Sequence, residues 1–399
     1  MRQSNVKKEV VVSNKIVFSI LLVLTLILSA CNLASTATPS ALPTSITTLP
    51  TVVPVIATMV PVNTLVPTTT LPAVTATMVP SNTPPPVVNT ATASASPSMP
   101  NYIDDRSTPS QVIVSYYNAI DRQEYLRAYS YYSDPATSLG SFSSFINGYQ
   151  NTVSVDLVFG PITGDPGMSQ IYYTVPVILK AITKNNVHTN YAACYVVHES
   201  NPDVYGAPPI SPMGIASGSA KVSSLNASDA SVLANTCVAY PTGGLQSPPI
   251  ASANNLSIDK TNFVDNRSGP IETVSSLLNS INLKQYVRAY SYYQDPTTYP
   301  GLYDPYAAGY ANTDSITVTF GTVQSEGAAG SLYYKVPLAE VVLTTSSTTQ
   351  TFVGCYTLRL GQPANQTTPP YQPMGITAGN FTQVVNGTNI TALLSTACN

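Results

Sequence analysis

Few side chains in this chain are of the kinds that perform acid–base or metal chemistry. Its 399 residues include two histidines, His188 and His198, and only 9% of the residues are charged. A protein-bound zinc ion needs three or four ligands at characteristic spacings, and the chain has no Cys-x-x-Cys pair to accompany the histidines. It also lacks a Gly-x-Ser-x-Gly turn, which would expose a nucleophilic serine. We therefore interpret both histidines as surface residues and predict a non-enzymatic protein without a metal or a cofactor.

Two arginines in tyrosine-rich surroundings are candidates for binding a ligand. Arg127 and Arg288 lie in identical Arg-Ala-Tyr-Ser-Tyr-Tyr segments. A guanidinium inside a pocket could bind an anionic or carbonyl ligand. The alternative, which we favour, is that each arginine pairs with a following aspartate, Asp134 or Asp295, or with a helix carbonyl, and so orients the helices.

Tyrosine is unusually frequent, with 26 Tyr and no Trp. A tyrosine packs its ring in a core and leaves its hydroxyl at the edge, and we favour this interpretation for most of them. The alternative is a groove for sugars or peptides, lined by Tyr149 and Tyr310 and by neighbours such as Tyr172 and Tyr333. Tyr149 and Tyr310 therefore join the two arginines as ligand-binding candidates.

The first thirty residues have the layout of an export signal. Four basic residues precede an apolar run over residues 16–28, which is shorter than the roughly 20 residues of a transmembrane helix and suits a signal peptide. The run ends in Leu28-Ser29-Ala30-Cys31, which resembles the lipobox of bacterial lipoprotein signal peptides. The resemblance implies cleavage before Cys31 and a lipid on its thiol. It also implies an extracytoplasmic location, with the protein anchored to the outer face of the cell membrane.

The charge of the mature chain excludes some partners. Loss of residues 1–30 removes four of the 16 basic residues and one of the 19 acidic ones, which leaves 12 against 18 and a net charge of −6. Nucleic acid binding requires a basic patch, so we expect no nucleic acid partner. Contact with the membrane would depend on the lipid alone, and two or three acyl chains suffice for stable anchoring.

Residues 31–100 form a low-complexity segment rich in Thr, Pro and Ser. After Cys31 the segment contains no charged and no aromatic residue. Its frequent prolines remove amide donors and interrupt helices and sheets, and such sequences adopt extended conformations. We predict a disordered stalk between the anchor and the folded part of the chain.

The rest of the chain is an internal repeat. Residues 101–237 align with residues 262–398 at a constant offset of 161, with 43 identities in 137 positions. This period is much longer than the 20–50 residues of solenoid units. We therefore predict two homologous domains, residues 101–237 and 262–399, joined by a Pro-, Gly- and Ser-rich linker over residues 238–261.

The remaining four cysteines fit this arrangement. Each repeat contains two of them, 43 residues apart. Exported chains commonly use such cysteines for disulfides. Of the three possible pairings, Cys194–Cys237 with Cys355–Cys398 is the one that keeps each bond within a repeat.

Each repeat begins with helical periodicity and continues with strands. In the first repeat we expect helices from Pro109, over about residues 124–132 and over residues 142–149, followed by alternating apolar residues. This order of elements, beginning with YYNAIDRQEYLRAYSYY, resembles the NTF2-like superfamily, which includes the SnoaL and ketosteroid isomerase families. The resemblance implies an α+β fold, with N-terminal helices packed on a bent antiparallel sheet to form a cone that can hold a small apolar ligand. It implies no particular activity, and the isomerases' catalytic residues cannot be placed on this sequence.

These features favour a surface lipoprotein that binds a ligand or partner outside the membrane, such as a wall polymer, a glycan, a small apolar molecule or a protein. Two alternatives stay open. An enzyme of the SnoaL or isomerase type would need a carboxylate, or paired Tyr and Asp residues, deep in at least one cone. A purely structural spacer of the cell envelope would have cones filled by their own Tyr and Phe side chains.

Overall fold

The computed structural model of the chain describes residues 99–167, 169–237, 245–246 and 262–399. The predicted signal peptide, the lipid site Cys31, almost all of the stalk and most of the linker lie outside the described residues. The described part is α+β, with two similar antiparallel sheets that are each preceded by helices. None of its helices is long and apolar enough to cross a membrane.

The two repeats have nearly the same order of elements. The first contains α1 (Pro109–Asp121), α2 (Tyr125–Tyr129), α3 (Pro135–Leu139), α4 (Phe142–Tyr149), β1 (Thr152–Phe159), β2 (Thr163–Pro166), β3 (Gln170–Thr183), β4 (His188–Ser200), β5 (Gly214–Ser223) and α5 (Asp229–Ala234), with β6 (Leu245–Gln246) in the linker. The second contains α6 (Pro270–Asn282), α7 (Tyr286–Tyr290), α8 (Tyr303–Gly309), β7 (Thr313–Phe320), β8 (Gln324–Ala328), β9 (Ser331–Thr344), β10 (Thr349–Gly361), β11 (Gly375–Val384) and α9 (Ile390–Leu394). A turn over residues 296–300 replaces α3 in the second repeat.

The long strands β3 and β9 lie at the centre of the two sheets, and each pairs with three other strands. In the first repeat β5, β4 and β3 are neighbours, and the other side of β3 pairs with β1 along one half and with β2 along the other. The second repeat has β11, β10 and β9 in the same order, with β7 and β8 sharing the far side of β9. The two-residue strand β6 extends the first sheet beyond β2.

Helix α1 begins where the sequence predicts. Pro109 stands in its first turn, where a missing N–H costs nothing, and the Thr108 hydroxyl accepts the N–H of Gln111 at 3.2 Å. The buried face of α1, including Val112 and Ile120, packs against one face of the sheet. We call this helix-covered face the inner face of each repeat. Removal of such apolar surface from water, at roughly 25 cal/mol per Å², is the main force that holds helices on a sheet.

The prolines inside the central strands interrupt no ladder. Pro176 of β3 lies between the stretch paired with β1 and the stretch paired with β2. Its carbonyl accepts the N–H of Gly160 at 2.9 Å. The nitrogen of the same residue faces the same side, so the missing donor is opposite the β1–β2 connection and not opposite a strand partner. Pro337 and Gly321 repeat this arrangement at 2.8 Å, so β3 and β9 are central strands and not the edges that a strand proline suggests.

Both predicted disulfides are present, Cys194–Cys237 and Cys355–Cys398. Cys194 lies on the outer face of its sheet, because its neighbours Ala193 and Tyr195 on β4 belong to the inner core. In the second repeat Leu394 of the C-terminal helix packs on Val353 on the outer face. The bonds therefore fasten the end of each repeat to the outer side of its sheet. Disulfides of this kind fit an oxidising, extracytoplasmic compartment.

The repeats meet along the segments that precede their first helices. Asp105 and Asn266 form an antiparallel bridge there. Two backbone hydrogen bonds flank it, from Arg106 to Asp265 at 2.7 Å and from Arg267 to Asp104 at 2.6 Å. The backbone N–H of Asp104 donates to the Ser268 hydroxyl, and the backbone N–H of Asp265 donates to the Ser107 hydroxyl, each at 2.9 Å. Every contact has its counterpart 161 residues away, so the junction has approximate twofold symmetry, like the interface of a homodimer.

Candidate functional sites

Arg127 is bound entirely by groups of the protein. Its side chain is 0% exposed, and its Nε donates to the Glu124 carboxylate at 2.6 Å. The two terminal nitrogens donate to the Ile103 carbonyl and, at 2.9 Å, to Asn118 Oδ1. The guanidinium carbon lies 4.5 Å from the centre of the Tyr102 ring. Arg127 is therefore a structural residue with no face turned to a ligand.

Arg288 makes the matching contacts without a carboxylate. Its guanidinium donates to three oxygens, Gln285 Oε1 at 2.7 Å, Val264 O at 2.6 Å and Asn279 Oδ1 at 2.9 Å. Gln285 is the counterpart of Glu124, so the ion pair of Arg127 becomes a hydrogen bond to a neutral amide at Arg288. Arg288 is only 2% exposed, yet it forms part of the wall of a pocket at the junction.

Neither arginine pairs with the aspartate predicted for it. Asp134 accepts the N–H of Thr137 at 3.1 Å at the start of α3, and Asp295 accepts the Thr298 hydroxyl at 2.8 Å. The reason is that α2 ends at Tyr129, so Asp134 lies beyond the helix. Glu124, three positions before Arg127, lies on the same side of the helix as the arginine. Both arginines also lie at the junction of the repeats and not between helices and sheet, where a ligand-binding cation was expected.

The inner face of the first repeat is filled by tyrosines that bind one another. The hydroxyl of Tyr149 lies 2.9 Å from that of Tyr116, and the hydroxyls of Tyr117 and Tyr195 lie 2.5 Å apart. Tyr116, Tyr117 and Tyr195 are 1%, 3% and 5% exposed. Burial raises the pKa of all four hydroxyls, so they stay neutral. This interior is a closed core with its polar atoms satisfied.

The inner face of the second repeat differs in its polar groups. Leu277 and Leu278 replace the two tyrosines of α1, and Glu340 of β9 replaces Leu179. Glu340 alternates along β9 with core residues of the same face, namely Val336, Leu338 and Val342. A carboxyl group therefore stands where the first repeat has a methyl-bearing side chain.

One carboxylate oxygen of Glu340 lacks a hydrogen-bond partner among the described residues. This Oε1 is buried and unpaired there. Burial raises the pKa of Glu340 to about 7. Burial also raises the pKa of the ligand candidate Tyr310, and the nearby Glu340 carboxylate adds to that effect. The carboxyl can thus accept a hydrogen bond when ionised and donate one when protonated near neutral pH.

The other aromatic candidates lie on the outer faces. Tyr172 is 43% exposed, and its ring centre lies 4.7 Å from that of His198. Tyr333 lines a shallow polar hollow of ≈ 370 Å³ together with Lys335 and Thr357. His188 is exposed at the start of β4. The described residues contain no group of three His, Cys, Asp or Glu side chains that could hold a metal ion.

A separate pocket opens at the junction of the repeats. Its volume is ≈ 180 Å³, and both repeats contribute to its walls. Phe263, Asp265 and Arg288 come from the second repeat, whereas Glu199 and Ile210 come from the first. This is a small pocket beside the 300–1,000 Å³ of typical drug-sized sites.

Sequence reasoning missed both Glu340 and the junction pocket. A signal for each is present in the alignment of the repeats, which places Glu340 opposite Leu179 and Tyr371 opposite Ile210. An exchange of a polar for an apolar residue between equivalent positions distinguishes two otherwise similar units. Comparison of equivalent positions, and not only a search for shared ones, would have identified these residues.

The chain has no match among family models, curated proteins or solved structures. The NTF2-like and lipobox resemblances therefore stay predictions, and the structure itself establishes two similar α+β repeats with one disulfide in each.

Proposed function

We propose that the protein is a non-catalytic, extracytoplasmic binding module, anchored by a lipid on Cys31, with a ligand site inside its second NTF2-like repeat. The observation that carries this proposal is the Glu340 carboxyl, whose buried Oε1 has no partner among the described residues. A buried polar atom without a partner costs about 1–3 kcal/mol and calls for an explanation such as a function or a bound molecule. Leu179 at the same place in the first repeat indicates that the fold does not require the carboxyl.

The surroundings of Glu340 favour a mainly apolar ligand with one or two polar atoms. The charge of Glu340 contributes to the raised pKa of Tyr310 and of Tyr356, so tyrosine hydroxyls near the carboxyl would supply the second polar contact, and the rest of this core is aliphatic and aromatic. A few placed polar groups in an apolar site fix the orientation of a ligand. Glu340 as a whole residue is half-buried, although its Oε1 is buried. A carbonyl, amide or hydroxyl group suits a carboxyl whose pKa is about 7.

The two repeats would then have different tasks. The first repeat has its interior closed by Tyr116 and Tyr149, so it would act as a scaffold. The second repeat would hold the ligand at Glu340. Duplication would therefore supply one site on an enlarged support, and not two equal sites that gain from avidity.

The same carboxyl favours a second candidate, an enzyme of the isomerase type. General acid–base catalysis is most effective when the pKa of the catalytic group is near the working pH, and burial raises the pKa of Glu340 to about 7. The enzyme differs from the binding module in one requirement, because its carboxyl must exchange a proton with the substrate.

A ligand screen of the full chain tests the proposal. Wall fragments, oligosaccharides and small apolar carbonyl compounds are added separately, and a ligand of the native state raises Tm with its concentration. Glu340→Leu, which copies the first repeat, should abolish the shift, and the exposed-strand variant Glu326→Gln should not change it. A shift that survives Glu340→Leu would place the ligand elsewhere.

Glu340→Gln separates the two candidate functions. Glutamine keeps hydrogen-bonding capacity but cannot exchange a proton near neutrality, so a binding module retains at least part of its affinity. An enzyme would convert the ligand, which NMR of the mixture detects, and would lose turnover in Glu340→Gln. A ligand that stays chemically unchanged in the presence of the unmodified chain supports the binding module.

A further inference from the structure

The twofold junction contains a filled site and an open site at equivalent places. The filled site consists of Tyr102, Asp104 and Arg127 of the first repeat and Tyr371 of the second. The hydroxyl of Tyr371 lies 3.0 Å from the hydroxyl of Tyr102. The Tyr102 hydroxyl donates to Asp104 Oδ2 at 3.1 Å. The filled site therefore holds a phenol ring that one repeat inserts into the other.

The open site is the junction pocket, and its residues are the counterparts of those in the filled site. Phe263, Asp265 and Arg288 correspond to the three residues of the first repeat, and Ile210 corresponds to Tyr371. Because isoleucine is shorter than tyrosine, the space of a phenol ring is left as the pocket of ≈ 180 Å³. An engineered apolar cavity of about 150 Å³ accommodates benzene, so one aromatic ring fits the open site.

The open site also lacks a hydroxyl donor that the filled site has. Asp265 Oδ1 accepts the Tyr292 hydroxyl at 2.8 Å, just as Asp104 Oδ1 accepts Tyr131 at 2.7 Å. Phe263 has no hydroxyl to donate to the second carboxylate oxygen as Tyr102 does. A ligand with a hydroxyl group can take over that hydrogen bond.

The charges around the open site favour a neutral ligand. Two cations, Arg267 and Arg288, and two carboxylates, Asp265 and Glu199, line the pocket, so its walls have no net charge. The remaining lining includes Phe263 and other apolar side chains, among them Met213, Pro212 and Pro373. A free anion or cation would face as much repulsion as attraction there, whereas a neutral ring with one hydroxyl matches both the apolar and the polar walls.

We propose that the open site binds a small neutral phenol, whose ring lies near the place that the Tyr371 ring has in the filled site and whose hydroxyl reaches further in than the Tyr371 hydroxyl, to donate to Asp265 as the Tyr102 hydroxyl donates to Asp104. This inference rests on the junction and not on the interior of the second repeat, so Glu340 has no part in it. The phenol group can come from a free small molecule or from a tyrosine side chain presented by a peptide.

Calorimetric titration of the full chain with p-cresol tests the inference. Toluene is the matched compound without the hydroxyl, and N-acetyltyrosinamide represents a tyrosine within a peptide. We expect one saturable p-cresol site per chain and at least tenfold weaker binding of toluene. Binding of N-acetyltyrosinamide as tight as that of p-cresol would identify a presented tyrosine as the ligand, and weaker binding would identify a free phenol. Absence of saturable binding by both phenols would overturn the inference.

Exchanges between the two sites locate the binding. The double variant Ile210→Tyr with Phe263→Tyr copies the filled site, so we expect p-cresol affinity to fall at least tenfold. The reverse double variant, Tyr371→Ile with Tyr102→Phe, opens the filled site and should raise the stoichiometry from one p-cresol to two. Unchanged p-cresol affinity in the first, folded variant would overturn the inference.

A measurement on the unmodified chain covers the case in which these variants do not fold. Nuclear Overhauser effects between the p-cresol methyl group and the Met213 methyl group are expected, because Met213 lines the pocket. Saturable binding without any such effect would place the phenol elsewhere. The variant Glu340→Leu should bind p-cresol with unchanged affinity. The proposed ligand site at Glu340 can therefore be disproved without affecting the phenol site at the junction, and the phenol site can be disproved without affecting the site at Glu340.

Discussion

The side-chain amide of Asn266 donates to the carboxylate of Asp105 at 3.3 Å, across the centre of the junction between the two repeats. The two residues are counterparts at the offset of 161, so the symmetry of the junction is broken at its middle by one charge. The N–H of Ser107 also donates to Asp105, at 2.8 Å. Burial nevertheless raises the pKa of Asp105 to about 6, and the neighbouring Asp265 and Asp104 add to this effect.

The variant Asp105→Asn should stabilise the protein above pH 6. The folded pKa of about 6 exceeds the ordinary value of 3.8, so folding disfavours the ionised form. The resulting loss of stability is absent below about pH 4, grows as the pH rises and is complete above pH 6. We expect a gain of about 1 kcal/mol at pH 8, smaller than the full shift implies because part of the group is exposed, and no gain at pH 4.

Urea unfolding of both proteins at pH 4 and pH 8 measures this difference. Asparagine keeps the acceptor for Ser107, since Asn266 accepts the matching N–H of Ser268 at 2.9 Å, but its amide nitrogen cannot accept from Asn266. The loss of that hydrogen bond does not depend on pH, so the change in the variant's effect between pH 4 and pH 8 measures the ionisation. The opposite exchange, Asn266→Asp, places two carboxylates face to face and should destabilise the protein at pH 8. A gain for Asp105→Asn that is equal at both pH values would contradict the assignment to ionisation.

Loss of Arg127 should cost more stability than loss of Arg288. Arg127→Leu removes the partner at 2.6 Å from Glu124, a side chain that is 3% exposed, and breaking a buried ion pair costs about 3–5 kcal/mol. Arg122, which is 2.8 Å from Glu124, should keep the cost near the lower end. Arg288→Leu leaves the neutral Gln285 without its partner and should cost less.

Denaturant unfolding of the two variants at pH 7 compares these costs. The variant Glu124→Gln gives Arg127 the neutral partner that Arg288 has. The denaturation midpoint of this variant should fall because the ion pair is lost, and its m-value should stay unchanged because the fold is kept. Equal losses for Arg127→Leu and Arg288→Leu would show that the ion pair adds nothing to the hydrogen bonds that the two arginines share.

Local sequence signals located most of the fold. Pro109 and Pro270 begin the first helices, the strands follow the alternation of apolar residues, and the spacing of 43 between cysteines identifies both disulfides. These features depend on neighbours along the chain or on the repeat itself. The second helix is shorter than predicted and ends at Tyr129, because its last turn gives way to the bridge between Tyr132 and Ile215.

The contacts at the junction of the repeats could not be predicted from these local sequence signals. Tyr102 and Tyr371 are 269 residues apart, and no periodicity along the chain predicts that their hydroxyls meet. The carboxyl partner of Arg127 was missed for a related reason, since a short helix places residues three positions apart together more reliably than residues seven positions apart. Glu340 and Ile210 are positions where the two repeats differ, so the identities between the repeats do not point to them.

Removal of one disulfide should lower stability without unfolding the chain. The Cys355–Cys398 bond spans 43 residues, and the chain-entropy relation gives about 4 kcal/mol for a loop of that length, with typical measured values of about 2–4 kcal/mol. The double variant Cys355→Ala with Cys398→Ala should therefore have a lower Tm than the unmodified chain. Mass spectrometry of peptides under non-reducing conditions checks that Cys194–Cys237 remains intact, and an unchanged Tm would show that the C-terminal segment of the second repeat holds its place unaided.

The variant Glu340→Leu should stabilise the protein and weaken its pH dependence. Burial raises the folded pKa of Glu340 from 4.5 to about 7, so the unmodified chain loses stability as the pH rises from about 4.5 through 7. Leucine removes a buried acceptor without a partner, which costs about 1–3 kcal/mol, and we expect a gain of this size at pH 8. At pH 4 the carboxyl is neutral in both folded and unfolded states, so the gain should be smaller there.

Thermal unfolding followed by circular dichroism between pH 4 and pH 9 measures this effect, and the first repeat supplies its control. Leu179→Glu introduces the carboxyl at the equivalent position of the first repeat, where the tyrosine hydroxyls already bind one another, so it should destabilise the protein most at high pH. A loss of stability in Glu340→Leu at pH 8 would mean that the carboxyl is held by a group the structure does not show. A gain, together with loss of ligand binding, would mean that the second repeat keeps an unfavourable buried acid for binding, as sites under selection for function often do at the expense of stability.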